Sequence, residues 1–322
     1  MLKASRFILF TVAASILCGC AVNVPVIGRV KPLEEKVISG KGEDKVLVVD
    51  ISGLISDKKK QGPLRLSDRP SMVARIKEEL EKAKEDDKVK ALVLKINSPG
   101  GTVTASDIIY HEVKQFREKK GVKVVACIMG LGTSGGYYAA TAADKIVILP
   151  TGITGSIGVI LLKVNLEGLM EKIGVQDEVI MSGDKKDSTL PFHPLSPEEK
   201  KLLQGIIDSL YQRFVTVVEE SRPEADLKGH KDLTDGRVFD AQQALDLGLV
   251  DEIGYLEDAI ELAKKEAGIE EARVIVYKRP GTYKNNIYSL GEGAPEATGF
   301  IGLQLAGFGR ALSPDFMYLW IP

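Results

Sequence analysis

Cysteine and histidine are scarce in this 322-residue chain, with three of each. Cys18 and Cys20 lie near the N-terminus, so the body holds one thiol, Cys127, and a disulfide framework is excluded. Cys127 sits in an apolar run with no histidine or second cysteine nearby. It reads as a buried small hydrophobe, and neither a metal site nor a cofactor is assigned. None of His111, His193 and His230 sits in a turn with a carboxylate spaced to orient it, which leaves a Ser-His-Asp triad unsupported. The formal net charge is −2 and no long run of one sign occurs, so nothing points to nucleic acid as a partner. No repeat of fixed period and no low-complexity tract is found.

What is present is the composition of an ordinary globular protein, 44% hydrophobic and 27% charged. Lys3 and Arg6 precede the apolar stretch Phe7 to Leu17, which ends at Leu17-Cys18-Gly19-Cys20. Residues 1–20 therefore read as a secretory leader. Its end resembles a bacterial lipobox, which implies lipidation at Cys20 and removal of the leader before it. A competing reading is an uncleaved signal anchor, because apolar character continues through Ala21, Val22 and Val24 to Val26, close to the roughly 20 residues of a span. Asn23, Pro25 and the two nearby glycines weaken that reading. Both readings put a membrane-anchored body on the extracytoplasmic side.

The body alternates strands and helices. Strands are expected at Lys45 to Leu54, Ala91 to Ile96, Lys123 to Met129, Lys145 to Leu149 and Ala272 to Tyr277, with a further short one at Glu178 to Met181. Helices are expected at Ser71 to Glu85, Ala105 to Lys119, Tyr137 to Ala143, Asp240 to Leu247 and Leu256 to Ala267. A long one runs from Pro197 to Ser221, capped by Ser196-Pro197-Glu198-Glu199. The βαβα order predicts an α/β fold of stacked βα units. Residues 21–44 read as a linker, 45–280 as one domain and 281–322 as a Gly-rich tail. That tail ends in Phe316-Met317-Tyr318-Leu319-Trp320-Ile321, apolar enough that docking on the domain or on a neighbouring subunit is expected.

Two glycine-rich turns follow strands, at the carboxyl ends where an open α/β sheet places its ligand crevice. The first, Asn97-Ser98-Pro99-Gly100-Gly101, exposes backbone N–H groups to a developing oxyanion. The second, Thr133-Ser134-Gly135-Gly136-Tyr137, opens a helix with a serine. A P-loop is excluded for want of Gly-Lys-Ser/Thr, and the downstream acid and histidine of an α/β-hydrolase are not evident. A serine without histidine needs another base. Lysine serves if burial lowers its pKa from about 10.4. Lys185 and Lys186, in a turn after Ser182-Gly183, are candidates, although a surface lysine pair is the ordinary reading.

Several segments together resemble the signal peptide peptidase A family, serine peptidases with the Clp protease/crotonase-like fold, from about Lys45 to Lys265. They are Lys95 to Gly101, Ser134-Gly135-Gly136-Tyr137-Tyr138, Ala142 to Ile146, Thr154 to Val159, Ser182 to Asp187, Asp235 to Val238 and Gly248 to Asp251. The resemblance implies a serine endopeptidase with a Ser/Lys dyad, Ser134 as nucleophile and Lys186 as base, Lys185 being the alternative. It places oxyanion donors at Gly135 and Gly101, with Gly100 able to replace Gly101, and has Ser156 hydrogen-bonding the lysine. It implies peptide substrates, hydrophobic signal-peptide remnants among them. It also implies a homo-oligomeric ring, such as an octamer, in which the serine of one subunit meets the lysine of the next. Thr133 departs from the alanine common before the nucleophile, a change that bears on substrate preference. Two rivals from other classes are a crotonase-like acyl-CoA enzyme, which a secretory leader disfavours, and a non-catalytic scaffold lipoprotein.

Overall fold

The structure is a computed structural model that describes residues 32–58, 60, 61, 68–227, 229–280 and 315–321. The expected leader with Cys20, and residues 21–31 of the expected linker, lie outside the described residues. In chain order the elements are β1 (Glu34–Gly40), β2 (Asp44–Ser52), β3 (Lys60–Gln61), β4 (Asp68–Arg69) and α1 (Met72–Lys84). Then come β5 (Val89–Ser98), β6 (Gly100–Thr102), α2 (Val103–Lys120), β7 (Lys123–Thr133) and α3 (Gly135–Ala140). Next are β8 (Lys145–Ile148), β9 (Ile153–Gly155), β10 (Ile160–Leu161), α4 (Glu167–Ile173) and α5 (Pro197–Ser221). The chain continues through β11 (Val238–Asp240), α6 (Ala241–Asp246), β12 (Glu252–Ile253), α7 (Leu256–Glu266), β13 (Ala272–Lys278) and β14 (Phe316–Leu319). The antiparallel pair of β3 and β4 belongs to a separate, smaller unit.

The main sheet of the larger unit runs in the order β1-β13-β2-β5-β7-β8-β12, with β9 beside the end of β7 and β11 beside β9. Its centre is parallel, and β2, β5 and β7 are almost continuously apolar because both of their faces are covered. Alternation then sorts the side chains. Leu47, Val49, Leu92 and Leu94 pack with Ile76 and Leu80 of α1 and Ile109 and Val113 of α2. Val46, Val48, Val93 and Val125 pack on the other face with Leu256, Ala259, Ile260 and Ala263 of α7. This is the expected α/β architecture. Cys127 lies in the second layer, its thiol pushed up to about 12 chiefly by burial, as fits a small hydrophobe.

Caps agree with the chain's own signals. Ser71 caps α1 by accepting from the Ala74 N–H, and Gly121 ends α2 in the left-handed conformation. Ser196 and Glu199 form a full capping box on α5.

The differences are instructive. β5 runs on to Ser98 and β6 restarts at Gly100, so the glycine turn expected there is mostly strand. Ile55 bridges it, donating to the Gly100 carbonyl at 2.9 Å and accepting from the Thr102 N–H at 3.0 Å. Likewise β7 continues through Gly130 and Gly132 to Thr133, because Leu131 to Thr133 find a parallel partner in β9. Glu178 to Met181, expected as a strand, has no ladder partner and is exposed, Ile180 completely so. Residues 34–40, expected as linker, form β1, whose charged Glu34, Glu35 and Lys36 suit an edge strand paired only with β13.

One polar cluster ties the far end of the sheet to α5. Arg222 donates from Nη1 to Asp251 at 2.7 Å and from Nε to the Gly248 carbonyl at 3.1 Å, while Asp251 also accepts from the Ile146 N–H and Lys145. Burial alone would raise the Asp251 pKa; the Arg222 and Ile146 hydrogen bonds outweigh it and hold the carboxyl low. Asp251→Asn, which leaves a buried guanidinium without its counter-charge, is expected to destabilise the fold by about 3 kcal/mol in chemical denaturation.

At the other end of α5 the Ser188 hydroxyl, with the Ser196 N–H and hydroxyl, holds the Glu199 carboxyl down at about 2, against its ordinary 4.5. A depressed acid stabilises the fold above its unfolded pKa and loses that contribution as pH falls through the folded one. The melting-temperature gap between wild type and Glu199→Gln should therefore be open above about pH 4.5 and close as the pH falls towards 2.

Candidate active site

Ser134 is the one residue between β7 and α3. Its φ is 54° and its ψ −117°, a backbone conformation that costs a non-glycine residue about 1–3 kcal/mol and persists only where its surroundings impose it. They do so through the Ser134 N–H, which donates to the Gly155 carbonyl at 2.7 Å, and through the Ser134 carbonyl, which accepts from Tyr138 at 2.9 Å. Behind the turn the fully buried Tyr137 donates from its hydroxyl to the Leu249 carbonyl at 2.8 Å. Asp235 to Val238 serve the same turn, since Ser156 N–H donates to the Arg237 carbonyl at 2.7 Å.

The amides of Gly101 and Gly135 converge beside Ser134. A Cβ on Gly135 would lie 3.2 Å from the Gly101 nitrogen and 2.4 Å from Ser106 Oγ. A Cβ on Gly100, whose φ is 106°, would lie 2.9 Å from the Gly135 nitrogen. Only glycine lets these backbones meet. Two N–H donors facing one spot next to a serine can stabilise the oxyanion of an acyl-transfer step.

A peptide carbonyl lies close to these glycines. β14 lies between β6 and β10, antiparallel to both, with Tyr318 opposite Gly101 and Met317 opposite Ile160. The Trp320 N–H donates to the Pro99 carbonyl at 2.9 Å. Antiparallel ladders alternate hydrogen-bonded and open pairs, so Tyr318 and Gly101 form the next bonded pair and the Gly101 N–H donates to the Tyr318 carbonyl. The same oxygen would be 2.0 Å from a Cβ on Gly100 and 3.1 Å from one on Gly135.

The Tyr318 ring enters an aromatic pocket absent from the sequence expectations. It stacks on Tyr138 with centroids 5.1 Å apart at 21° and meets Phe214 of α5 at 4.6 Å. Its hydroxyl donates to the Leu210 carbonyl at 2.9 Å. Tyr138 is itself fixed by donating to Asp107 at 2.5 Å, and Arg213 pairs with Asp107 at 3.0 Å. Burial, ahead of the Asp107 charge, pushes the Tyr318 phenol up, so it stays a donor. In sequence the only signal was the apolar end of the tail.

The proposed base is elsewhere. Lys186 is exposed, and among the described residues neither its amine nor the Ser134 hydroxyl makes a hydrogen bond. The desolvation expected of a lysine base is thus not present within one chain. The loop that carries it is anchored all the same, for Ser188 donates to Glu199 at 2.7 Å and Lys163 donates to the Ser188 carbonyl at 2.9 Å. Lys185 pairs with Glu198 at 2.8 Å, which raises its pKa. Ser156 is buried with φ 52°, but among the described residues its hydroxyl bonds no lysine. Contrary to expectation His193 does meet a carboxylate, Asp187, at 3.1 Å, because the 183–194 loop folds back on itself; no serine hydroxyl joins them. Thr133 Oγ1 is buried next to Ser134 and, among the described residues, has no hydrogen-bond partner. A cavity of 460 Å³ lined by Asp87, Lys90, Lys120, Lys123 and Glu266 lies at the opposite ends of β5 and β7, far from these residues.

Residues 116–270 match peptidase family S49, and residues 68–161 match the Clp protease family. A candidate signal peptide peptidase SppA of Enterococcus faecium is 37% identical over 262 residues, 81% of this chain and 75% of that protein. A candidate protease of Synechocystis is 46% identical over 193 residues, 60% of this chain and 69% of that one. The chloroplastic serine protease SPPA of Arabidopsis thaliana is 33% identical over 77% of this chain, which spans only 36% of that longer protein. With such identity over most of the Enterococcus protein's length, and with a serine turn and paired glycine amides at its centre, the chain belongs to peptidase family S49, with the SppA proteins.

Proposed function

We propose that the chain is a membrane-anchored serine endopeptidase in which Ser134 attacks a peptide carbonyl and Lys186 is the base. The observation that carries this reading is the extended strand lodged between β6 and β10, with Tyr318 opposite Gly101 and its carbonyl packed close to Gly100 and Gly135. A substrate backbone would add to the same two strands. The Ser134 hydroxyl proton passes to neutral lysine as Oγ bonds the carbonyl carbon, and the two N–H groups hold the oxyanion. The C–N bond then breaks, the amine leaves with that proton, and water, deprotonated by the same lysine, hydrolyses the acyl ester.

Lys186 is a better base than Lys185, because Glu198 keeps the Lys185 amine charged. An exposed Lys186 and a buried Ser134 are reconciled if chains assemble so that the lysine of one subunit, loses water against the serine turn of the next, with Ser156 as its hydrogen-bond partner there. Lipidation at Cys20 after removal of the leader before it would hold the site on the extracytoplasmic side beside the membrane, where hydrophobic remnants of cleaved signal peptides are substrates. No helix of the described residues is long and apolar enough to cross a membrane.

Hydrolysis of a fluorogenic peptide should fall at least about 10³-fold in both Ser134→Ala and Lys186→Ala, at matched folding and oligomeric state. Retention of activity by both would remove these residues from the mechanism. Gly135→Ala should lose about 10²-fold in kcat, since its Cβ would meet Ser106 Oγ at 2.4 Å and shift one oxyanion donor. The double variant with Ser106→Ala should regain part of that loss in steady-state kinetics.

A further inference from the structure

The loop that carries Lys186 is gripped by a cluster of charged groups lying outside the serine turn. We infer that His193 is a positioning residue for Lys186: as an imidazolium it pairs with Asp187 and pins the loop, so that the placement of the base depends on pH. The inference rests on the proposed function, because it takes Lys186 to be the base.

The two residues that follow Lys186 are both fixed from elsewhere. Ser188 donates to Glu199 of α5 at 2.7 Å, and its carbonyl accepts from Lys163, which lies just beyond β10, at 2.9 Å. Asp187 is met by His193, whose Nε2 lies 3.1 Å from its Oδ2. The backbone supports the same turn. The Lys186 N–H donates to the Gly183 carbonyl at 3.1 Å and the Leu190 N–H to the Asp187 carbonyl at 2.7 Å.

The surroundings of the ring favour its charged form. Nδ1 lies 3.0 Å from the Pro194 carbonyl, so an oxygen faces each ring nitrogen. A neutral imidazole carries one N–H, and the nitrogen without it turns a lone pair towards an oxygen. Nε2 is buried and forms no hydrogen bond among the described residues, which leaves charge as the basis of its contact with Asp187. The cluster holds two carboxylates, Asp187 and Glu199, and one ammonium, Lys163, on which both act. An imidazolium at His193 brings these charges into balance. Glu199 is held low by Ser188 and Ser196 and stays ionised, while burial pulls the Lys163 amine down. Of the other charges nearby, Lys185 and Glu198 pair with each other at 2.8 Å. α4 packs here through Leu166, whose N–H donates to the Pro191 carbonyl at 2.7 Å, and its Glu167 is exposed. Histidine is the residue type among these that ordinarily changes charge between pH 5 and 8. When the ring loses its proton, Asp187 loses its partner and the turn after Lys186 is held by Ser188 alone.

The test uses the full-length chain at matched oligomeric state, as wild type, His193→Gln, Asp187→Asn and the double variant. Amide exchange across residues 184–190, corrected for its intrinsic pH dependence, should quicken severalfold in the wild type between pH 5.5 and 8. Each variant should exchange fast at both. With the fluorogenic peptide, kcat of His193→Gln and of Asp187→Asn should fall severalfold at pH 6 and match the wild type at pH 8, with KM unchanged; the double variant should lose no more than either single one. A merely structural role would lower kcat equally at both pH values. That result, or wild-type exchange at pH 5.5 in His193→Gln, would overturn the inference. A pH step in exchange that the variants abolish, with hydrolysis retained by Lys186→Ala, would uphold the clasp and sink the dyad. An inactive Lys186→Ala without any such step would do the reverse.

Discussion

The hydrogen bond from the Ser134 N–H to the Gly155 carbonyl at 2.7 Å, with the one from the Tyr138 N–H to the Ser134 carbonyl, holds the serine in a backbone conformation that it would not adopt alone. Much of the surrounding structure serves those bonds. Gly155 must approach closely enough that a Cβ there would be 2.6 Å from the Phe239 ring, which fixes β9 against β11. Arg237 presents its carbonyl to Ser156 while its guanidinium is tied to Asp235 and Asp232. Behind α3, Tyr137 reaches Leu249 and the Arg222–Asp251 pair closes the layer. Segments separated by more than a hundred residues are thus constrained by one turn.

The donors at this turn are backbone amides rather than charged side chains. Ser98 and Ser106 are fully buried, and their hydroxyls are engaged with Gly100 and with the Thr102 carbonyl. Amide dipoles fixed by a ladder need little reorganisation when charge develops, which is what makes such a site effective for acyl transfer. Lys186 is carried on a separate loop, braced by Ser188 and Glu199 at the start of α5. Within one chain the serine turn and the glycine amides lie together, and Lys186 stands apart from them, exposed.

The strand β14 is held by both its backbone and its side chains: it pairs with β6 and β10, while the Tyr318 ring packs on Tyr138 and Phe214 and its hydroxyl donates to the Leu210 carbonyl. α5 contributes to both the pocket and the lysine loop, so occupancy of the one and the position of the other share a scaffold.

The amino-acid sequence determined the α/β order, because the apolar runs of β2, β5 and β7 and the amphipathic spacing of α1 and α7 are local patterns that burial on two faces requires. It also singled out Ser134, Gly135 and Gly101, whose residue types are intelligible from chemistry, and the capping box of α5, which is a four-residue signal. Where β5 and β7 end was not legible, since the glycines there carry no side-chain pattern and become strand only by pairing with Ile55 and β9. The charged edge strand β1 was hidden for a related reason, as its partner β13 lies more than 230 residues away. The aromatic pocket, the seat of Tyr318 and the exposure of Lys186 were decided by tertiary structure alone. They depend on which distant backbones meet, and no local spacing encodes that.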